Sequence, residues 1–160
     1  MHTIEPLSSE ALLPAAAGRL IPFYTEEEWL ALRRADITAS SIAGHFGASK
    51  WSSAYSDFAE KTGRAEPRSA TDIMEAGRFL EDGIARLAAH QHGWNIATAA
   101  DFARALGLAP PRLAPEAGSV PQTPIGAYLR DPDSRLGATP DRIITDWPDG
   151  GRPAEIKNVS

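Results

Sequence analysis

Three charged residues near the end of the chain have the types and the spacing of a metal-dependent hydrolytic site. Asp141 stands at the start of one predicted strand, and Glu155 and Lys157 flank Ile156 on the next. Because alternate residues of a strand share a face, Glu155 and Lys157 point together while Ile156 points into apolar packing. Carboxylate oxygens are the ligands that Mg²⁺ and Mn²⁺ prefer. Lys157 can then orient a metal-bound water for in-line attack on a phosphodiester.

Two extended runs must position these residues. They span 135–147 and 153–159, and they are separated by the hairpin signal Pro-Asp-Gly-Gly at 148–151. A turn centred on its Asp-Gly pair predicts that Asp141 lies beside Lys157 on the neighbouring strand. The alternative is that all three charges are ordinary exposed strand residues, since so short a pattern also arises by chance.

Local signals predict several helices before this hairpin. Thr25 and Glu28 form a capping box, in which the Thr25 hydroxyl accepts from the backbone N–H of Glu28. Glycines beyond the later helices mark their ends. The predicted helices span residues 25–34, 40–46, 53–61 and 70–91, with a further helical turn near 101–106. Residues 108–125 carry five prolines and are predicted to form a long loop.

The longest predicted helix, residues 70–91, carries an acidic residue on an unusual face. Glu81 is expected to be at least half buried, because small and apolar residues on its side of the helix let another backbone approach. A buried, unpaired carboxylate is costly, and a bound metal is one partner that resolves the cost. Asp82 instead lies at helical spacing from Arg78 and Arg86, which indicates a solvated ion-pair face. The predicted core stripe consists of Ile73, Ala76, Leu80, Ile84 and Leu87.

Composition is typical of a globular domain and excludes several kinds of site. The chain has 160 residues, of which 42% are apolar and 23% charged. It has no cysteine, which excludes disulfides, thiolate nucleophiles and cysteine-based zinc sites. The apolar run at residues 11–20 is broken by Pro14 and Arg19, so neither a signal peptide nor a membrane span is predicted and a cytosolic chain is expected.

Charge is unevenly distributed along the chain. The net charge is −5, which is not typical of a nucleic-acid-binding domain. Residues 29–68, however, hold six basic and four acidic side chains. We therefore expect any phosphate-binding surface to draw on this segment.

Four motifs in order along the chain resemble one nuclease family. Residues 29–33 (Trp-Leu-Ala-Leu-Arg) and 37–40 (Ile-Thr-Ala-Ser) resemble its N-terminal signature, and residues 55–63 resemble the segment after it. Residues 74–81 resemble the helix that supplies an additional acidic metal ligand. Together with the closing hairpin, these motifs resemble the phage-type recombination exonucleases, the lambda exonuclease and YqaJ-like viral recombinase family of the PD-(D/E)XK nuclease superfamily.

The resemblance implies an α+β fold with a restriction-endonuclease-like core, in which N-terminal helices and one long helix pack on a small mixed or antiparallel sheet. Residues 1–24 are then an N-terminal extension and residues 25–160 the nuclease domain. The family core continues past the Glu-x-Lys strand with another strand, a helix and a final strand, so the domain is expected to be incomplete at its C-terminus. The implied activity is a Mg²⁺-dependent or Mn²⁺-dependent exonuclease that degrades one strand of linear duplex DNA from its 5′ end.

The resemblance also assigns roles to the charged residues near the hairpin. Asp141 and Glu155 would hold the metal, assisted by the main-chain carbonyl of Ile156. Glu81 would add a ligand from the helix side. Lys157 would position the attacking water.

A second pair of residues, Arg33 and Ser40, matches positions that grip the 5′ phosphate in this family. A forked guanidinium and a hydroxyl near a helix start suit that role, although Arg33 also fits a surface position on a short helix. The implied partners are double-stranded DNA ends, a single-strand annealing protein, and further copies of the chain, commonly in a trimeric ring. The implied location is the cytoplasm of a bacterial host that carries the phage or prophage.

Two alternatives come from other functional classes. Residues 40–49 have the helix, glycine turn and serine of a helix-turn-helix DNA-binding module, but residues 50–60 offer one lysine against Asp57 and Glu60, a poor face for a phosphate-lined groove. The other alternative is a noncatalytic interaction or inhibitor protein that retains part of a nuclease fold. A truncated nuclease would have the same sequence features.

Overall fold

The computed structural model describes residues 19–65, 71–112, 122–147 and 150–156. The helices within these ranges are α1 Glu26–Arg34, α2 Ile42–His45, α3 Ala54–Lys61, α4 Asp72–His92 and α5 Ala99–Ala105. The strands are β1 Leu20–Phe23, β2 Ile37–Thr38, β3 Ile96–Ala97, β4 Gly126–Asp131, β5 Leu136–Ala138, β6 Arg142–Ile144 and β7 Arg152–Ala154. None of the helices in the described ranges is long and apolar enough to cross a membrane.

The strands form two sheets. The larger sheet has the order β1-β4-β5-β2, in which β4 runs antiparallel to β1 and β5 while β2 runs parallel to β5. The smaller sheet has the order β3-β6-β7 and is antiparallel throughout. The α+β class predicted from the sequence is confirmed. The boundary of the nuclease domain at residue 25 stays a prediction, and β1 lies before it.

Side-chain caps fix where the helices begin and end. The hydroxyl of Thr25 accepts from the Glu28 backbone N–H at 3.2 Å, as predicted, and the Glu28 carboxylate accepts from the Tyr24 N–H at 2.7 Å. The long helix α4 ends at Gly93, whose left-handed backbone (φ 69°) favours glycine. The predicted helix 40–46 is shorter than expected, since α2 has only four residues.

The hydrophobic core lies where α5 packs against the strands. This short helix was predicted only as a helical turn, yet its face contacts β1, β4 and β6. The buried cluster consists of Leu20, Ala99, Ala103, Leu106, Ala109, Ala127 and Ile143. Alanines on α5 let the helix approach both sheets closely, which explains why its weak amphipathic pattern was easy to overlook.

The long helix buries a different face from the predicted core stripe. Leu80 is 49% exposed and Leu87 is 57% exposed, so the stripe assignment is wrong at these positions. The buried side is the line of small residues that includes Ala85, which is 2% exposed, and the half-buried Glu81. The helix packs against β3, and Glu81 and Asp82 on it make polar contacts with Arg142 of β6.

The predicted extended run 135–147 is two strands in different sheets. It breaks between β5 and β6 at Pro140, which has no backbone N–H to continue a ladder. The predicted second strand also ends early, because β7 stops at Ala154. Of the predicted proline-rich loop 108–125, the described ends pair only through an isolated bridge between Arg112 and Gln122, and residues 113–121 lie outside the described residues.

A buried acidic residue joins the end of α1 to the turn between β4 and β5. The side chain of Asp36 is 0% exposed, and its two oxygens accept from Arg130 Nε at 2.6 Å and Arg135 Nε at 2.9 Å. Arg135 has a left-handed backbone (φ 57°) and also donates to the Ala35 carbonyl at 2.8 Å. From α3, Lys61 donates to the Asp36 carbonyl at 2.5 Å. Asp36 therefore joins three separate parts of the chain.

Replacing Asp36 by asparagine is expected to lower the free energy of unfolding by about 3 kcal/mol, because two guanidinium groups then surround a buried position without a countercharge. Urea unfolding followed by circular dichroism measures this change. The matched control is Asp133→Asn in the exposed β4–β5 turn, for which a change below about 0.5 kcal/mol is expected. Equal small changes in both variants would show that the Asp36 cluster contributes little stability.

Candidate functional site

Asp141 and Glu155 lie opposite each other at the open end of the β6–β7 pair. Arg142 pairs with Ala154, and the same register continued by one position brings Asp141 opposite Glu155. The Ile156 backbone N–H donates to Asp141 Oδ2 at 2.7 Å. The two residues predicted to bind metal therefore lie at the same end of this strand pair, and the Ile156 peptide lies beside Asp141.

The predicted register of the hairpin, which would pair Asp141 with Lys157, differs by two residues from the observed β6–β7 pairing. Gly150, with φ 94°, does not centre the turn but lies on its far side, because Arg152 already pairs with Ile144. Lys157 itself lies outside the described residues. Its proposed role as the residue that positions water remains a prediction.

Glu81 reaches the same end of the β6–β7 pair from α4. Its side chain is 30% exposed, as expected from its small neighbours, and its Oε1 accepts from Arg142 Nη1 at 2.7 Å. The same Nη1 donates to the main-chain oxygen of Asp141 at 2.6 Å. Glu81 therefore lies close to Asp141, as predicted. The inference that Glu81 lacks a protein partner is wrong, because Arg142 supplies one.

Arg142 also contacts the neighbouring acidic residue of α4. Its Nη2 donates to Asp82 Oδ1 at 3.2 Å, and Arg86 Nε lies 2.8 Å from Asp82 Oδ2, which confirms the predicted pair at i+4. Desolvation opposes the effect, but hydrogen bonds from Arg142 and Arg86 hold the pKa of Asp82 below its ordinary value. Asp82 thus carries its negative charge beside Glu81.

The carboxylates at this end of the β6–β7 pair suit a hard divalent cation, but their arrangement matches a metal site only in part. Asp141, Glu155 and Glu81 all offer carboxylate oxygens. Among the residues that the structure describes, no three acidic or histidine side chains converge closely enough to hold a metal ion. The guanidinium of Arg142 is hydrogen-bonded to Glu81. Glu81 could therefore join Asp141 and Glu155 as a metal ligand only if this hydrogen bond broke.

The predicted phosphate-binding pair is also brought together. Arg33 Nη2 donates to Ser40 Oγ at 3.1 Å, and the Arg33 guanidinium lies 4.7 Å from the centre of the Trp29 ring. Trp29 Nε1 in turn donates to Thr139 Oγ1 at 2.8 Å. Since Thr139 is two residues before Asp141, this contact connects the phosphate-binding pair to the segment that carries the acidic site.

Close packing of β2, β5 and β4 holds Ser40 in this position. Thr38 is buried, pairs with Gly137 across the parallel strands, and places its Oγ1 3.0 Å from Ser40 Oγ. The Tyr128 ring lies over Gly137, where an added Cβ would come within 1.9 Å of the Tyr128 hydroxyl. Burial, and then the nearby charge of Asp36, raise the pKa of Tyr128 to about 12, so the hydroxyl stays neutral at physiological pH.

A groove of about 410 Å³ runs along the same sheet beside the phosphate-binding pair. Its lining is mostly apolar, and its charged residues are Arg19, Arg130 and Asp131. Ala39, the neighbour of Ser40, lies on its wall. The groove therefore reaches the residue before Ser40, although Arg33 and Ser40 are not among its lining residues.

Two contributors to this site were not identified from the sequence, Arg142 and Thr139. An arginine directly after a predicted metal-binding aspartate was a usable signal, because Glu81 had been predicted to need a partner. Thr139 gave no such signal, since its contact with Trp29 joins residues 110 positions apart.

The variant Gly137→Ala tests the packing that positions Ser40. We expect it to lower the free energy of unfolding by at least about 2 kcal/mol, because the new methyl group overlaps the buried Tyr128 ring. The matched control is Gly83→Ala, at a helical position with nothing near its added methyl group, which is expected to raise stability by up to about 1 kcal/mol. Thermal unfolding of both variants decides the point, and a neutral Gly137→Ala would contradict the packing described here.

Comparison with known proteins gives one match. The family model of the YqaJ-like viral recombinase domain matches residues 28–160, which is most of the chain. No curated protein and no solved structure matches the chain. The family match confirms the resemblance drawn from the motifs.

Proposed function

The chain belongs to the YqaJ-like viral recombinase family, a family of phage recombination nucleases, and on this basis we propose that it is a metal-dependent exodeoxyribonuclease. Its substrate would be linear double-stranded DNA, which it would degrade from the 5′ end during phage or prophage recombination. The observation that carries this proposal is the hydrogen bond of Trp29 to Thr139, because it connects the proposed phosphate-binding pair to the acidic segment.

Arg33 and Ser40 are proposed to bind the terminal 5′ phosphate. A guanidinium presents its N–H groups in a planar fork that matches phosphate oxygens, and stacking on Trp29 restricts its orientation. Ser40 adds a hydroxyl donor from the adjoining segment, held by Thr38. A DNA end bound there would present its first phosphodiester toward the Thr139–Asp141 segment.

The end of the β6–β7 pair that bears Asp141 and Glu155 would then be where the phosphodiester is hydrolysed. Asp141 and Glu155, with the Ile156 carbonyl, would hold Mg²⁺ or Mn²⁺, and Glu81 would complete the set once released from Arg142. The ion would neutralise charge on the phosphate and lower the pKa of a bound water. Lys157 is proposed to orient that water, and the hydrogen bond from Ile156 N to Asp141 orients the carboxylate.

Digestion of DNA tests the proposed activity directly. Linear duplex DNA with Mg²⁺ should lose nucleotides from its 5′ ends, while a closed circular control and an EDTA control stay intact. Asp141→Ala and Glu155→Ala should each lower the rate at least about a hundredfold, since each removes a charged ligand from the reacting centre. Asp133→Asn, in the exposed β4–β5 turn, is the matched control and should retain the wild-type rate.

The same assay separates the activity from the family assignment. Equal absence of digestion by wild-type protein and Asp141→Ala would overturn the proposal of catalysis by this chain. It would leave the family membership, which rests on the sequence, unaffected.

Dependence on the 5′ phosphate tests the proposed roles of Arg33 and Ser40. Wild-type protein should digest a 5′-phosphorylated end faster than a 5′-hydroxyl end. Arg33→Lys should reduce this preference about tenfold, because a point charge replaces a bidentate fork. Arg34→Lys, an exposed neighbour on α1, should leave the preference unchanged. A preference that persists in Arg33→Lys would place the phosphate elsewhere.

A noncatalytic DNA-end-binding or inhibitory protein is the second candidate, and the contact of Arg142 with Glu81 favours it. Such a protein would bind linear DNA without digesting it. The helix-turn-helix alternative has less support, because Lys61 of α3 is engaged by Asp57 at 2.8 Å and by the Asp36 carbonyl. Lys61 is therefore not offered to a DNA groove, which leaves the exposed Lys50 as the one lysine that residues 50–60 offer on that face.

The proposed setting follows from family membership. The chain would act in the cytoplasm of a bacterial host, on ends whose 3′ tails pass to a single-strand annealing protein. A ring of three copies around the DNA is proposed as the working assembly. Sedimentation of the chain with and without linear duplex DNA measures its oligomeric state.

A further inference from the structure

We propose that Arg142 is a positioning residue of the acidic site, whose guanidinium holds Glu81 beside Asp141 in the absence of a divalent metal and transfers to Asp82 when the metal binds. This inference rests on the proposed metal-dependent function. It assigns a role to a residue that neither the motifs nor the family match had singled out.

The contacts of Arg142 show why its guanidinium acts as a local countercharge. Its side chain is 12% exposed, and a single nitrogen, Nη1, lies 2.7 Å from Glu81 Oε1 and 2.6 Å from the Asp141 main-chain oxygen. It thus lies between Glu81, a proposed ligand on α4, and the main chain of Asp141, the proposed ligand directly before β6. Without this positive charge, the adjacent carboxylates of Glu81 and Asp82 would repel each other more strongly.

A divalent cation and the guanidinium compete for Glu81. Arginine remains protonated and has only donors, so it cannot itself coordinate a metal. Two positive groups within a few ångströms also repel each other strongly in a partly buried site. Full coordination by Glu81 therefore requires the Nη1 contact to break.

Asp82 provides the alternative partner that the guanidinium needs. Its Oδ1 already accepts from Arg142 Nη2 at 3.2 Å. A side-chain rotation can then exchange the Glu81 contact for a closer contact with Asp82, while the α4 and β6 backbones stay in place. Arg86 also pairs with Asp82, from the exposed side of α4.

Metal binding and stability of the full chain test this role without measuring catalysis. The probe is Mn²⁺, measured by isothermal titration calorimetry, and the second measurement is the thermal unfolding midpoint in EDTA and with saturating Mn²⁺. The variant Arg142→Gln removes the competing charge. We expect it to bind Mn²⁺ about fivefold more tightly than wild type, since the metal no longer displaces a partly buried ion pair.

Arg142→Gln is expected to be less stable than wild type without metal, although it binds Mn²⁺ more tightly. Arg142→Gln should unfold at a lower temperature than wild type in EDTA, because the acidic groups lose their countercharge, and should gain more than wild type from Mn²⁺. The matched control is Arg78→Gln, at an exposed position of the same helix α4. It should change neither the Mn²⁺ affinity nor the gain from Mn²⁺.

A second variant tests the transfer and does not depend on the folding of Arg142→Gln. Asp82→Asn keeps the Glu81–Arg142 contact but weakens the alternative partner, so it should bind Mn²⁺ several-fold more weakly than wild type. An unchanged affinity in Asp82→Asn would overturn the transfer. Equal or weaker Mn²⁺ binding by folded Arg142→Gln would overturn the competition.

Asp141→Ala distinguishes failure of this inference from failure of the proposed function. If wild type binds Mn²⁺ and Asp141→Ala does not, the metal site stands and the Arg142 variants decide the inference alone. If only Arg142→Gln binds Mn²⁺, the guanidinium blocks the site and the inference is supported. If none of the proteins binds Mn²⁺, the proposed metal site and the role of Arg142 fail together.

Discussion

The arrangement of this protein depends on one buried carboxylate with two guanidinium partners. Asp36 follows α1 directly, while Arg130 and Arg135 belong to β4 and to the turn after it. Burying a charge is costly unless it is paired, so this cluster tolerates few alternative arrangements. Lys61 extends it to α3 through the Asp36 carbonyl. The N-terminal helices are thereby fixed against the larger sheet at a defined position.

That position determines what the neighbouring strands can bring together. Immediately after Asp36 the chain enters β2, which pairs with β5 in parallel and places Thr38 opposite Gly137. Ser40 comes shortly after β2, and Thr139 comes directly after β5. Both proposed binding elements therefore begin where one of these short strands ends. Glycine at 137 is required there, because the Tyr128 ring fills the space of a side chain.

How well a feature could be predicted from the sequence depends on how far apart along the chain the interacting residues are. Thr25 and Gly93 mark helix ends through contacts within a few residues, and both predictions are confirmed. The acidic residues were recognised by type, and the burial of Glu81 followed from its small neighbours. Its pairing with Arg142 depends on how α4 meets β6, which no local pattern encodes. The predicted hairpin register was wrong because the glycines around its turn permit more than one pairing of the two strands.

The contact between Trp29 and Thr139 has a consequence for how the protein folds. Trp29 and Thr139 are separated by 110 residues, so their contact closes a long loop and carries a large entropic cost. Contacts of such high sequence separation are slow to form. During synthesis, α1 and α3 emerge early, yet the pair Arg33–Ser40 faces no acidic segment until the last strands have left the ribosome. A nascent chain therefore carries the proposed phosphate-binding pair long before that pair can be joined to the segment of Asp141.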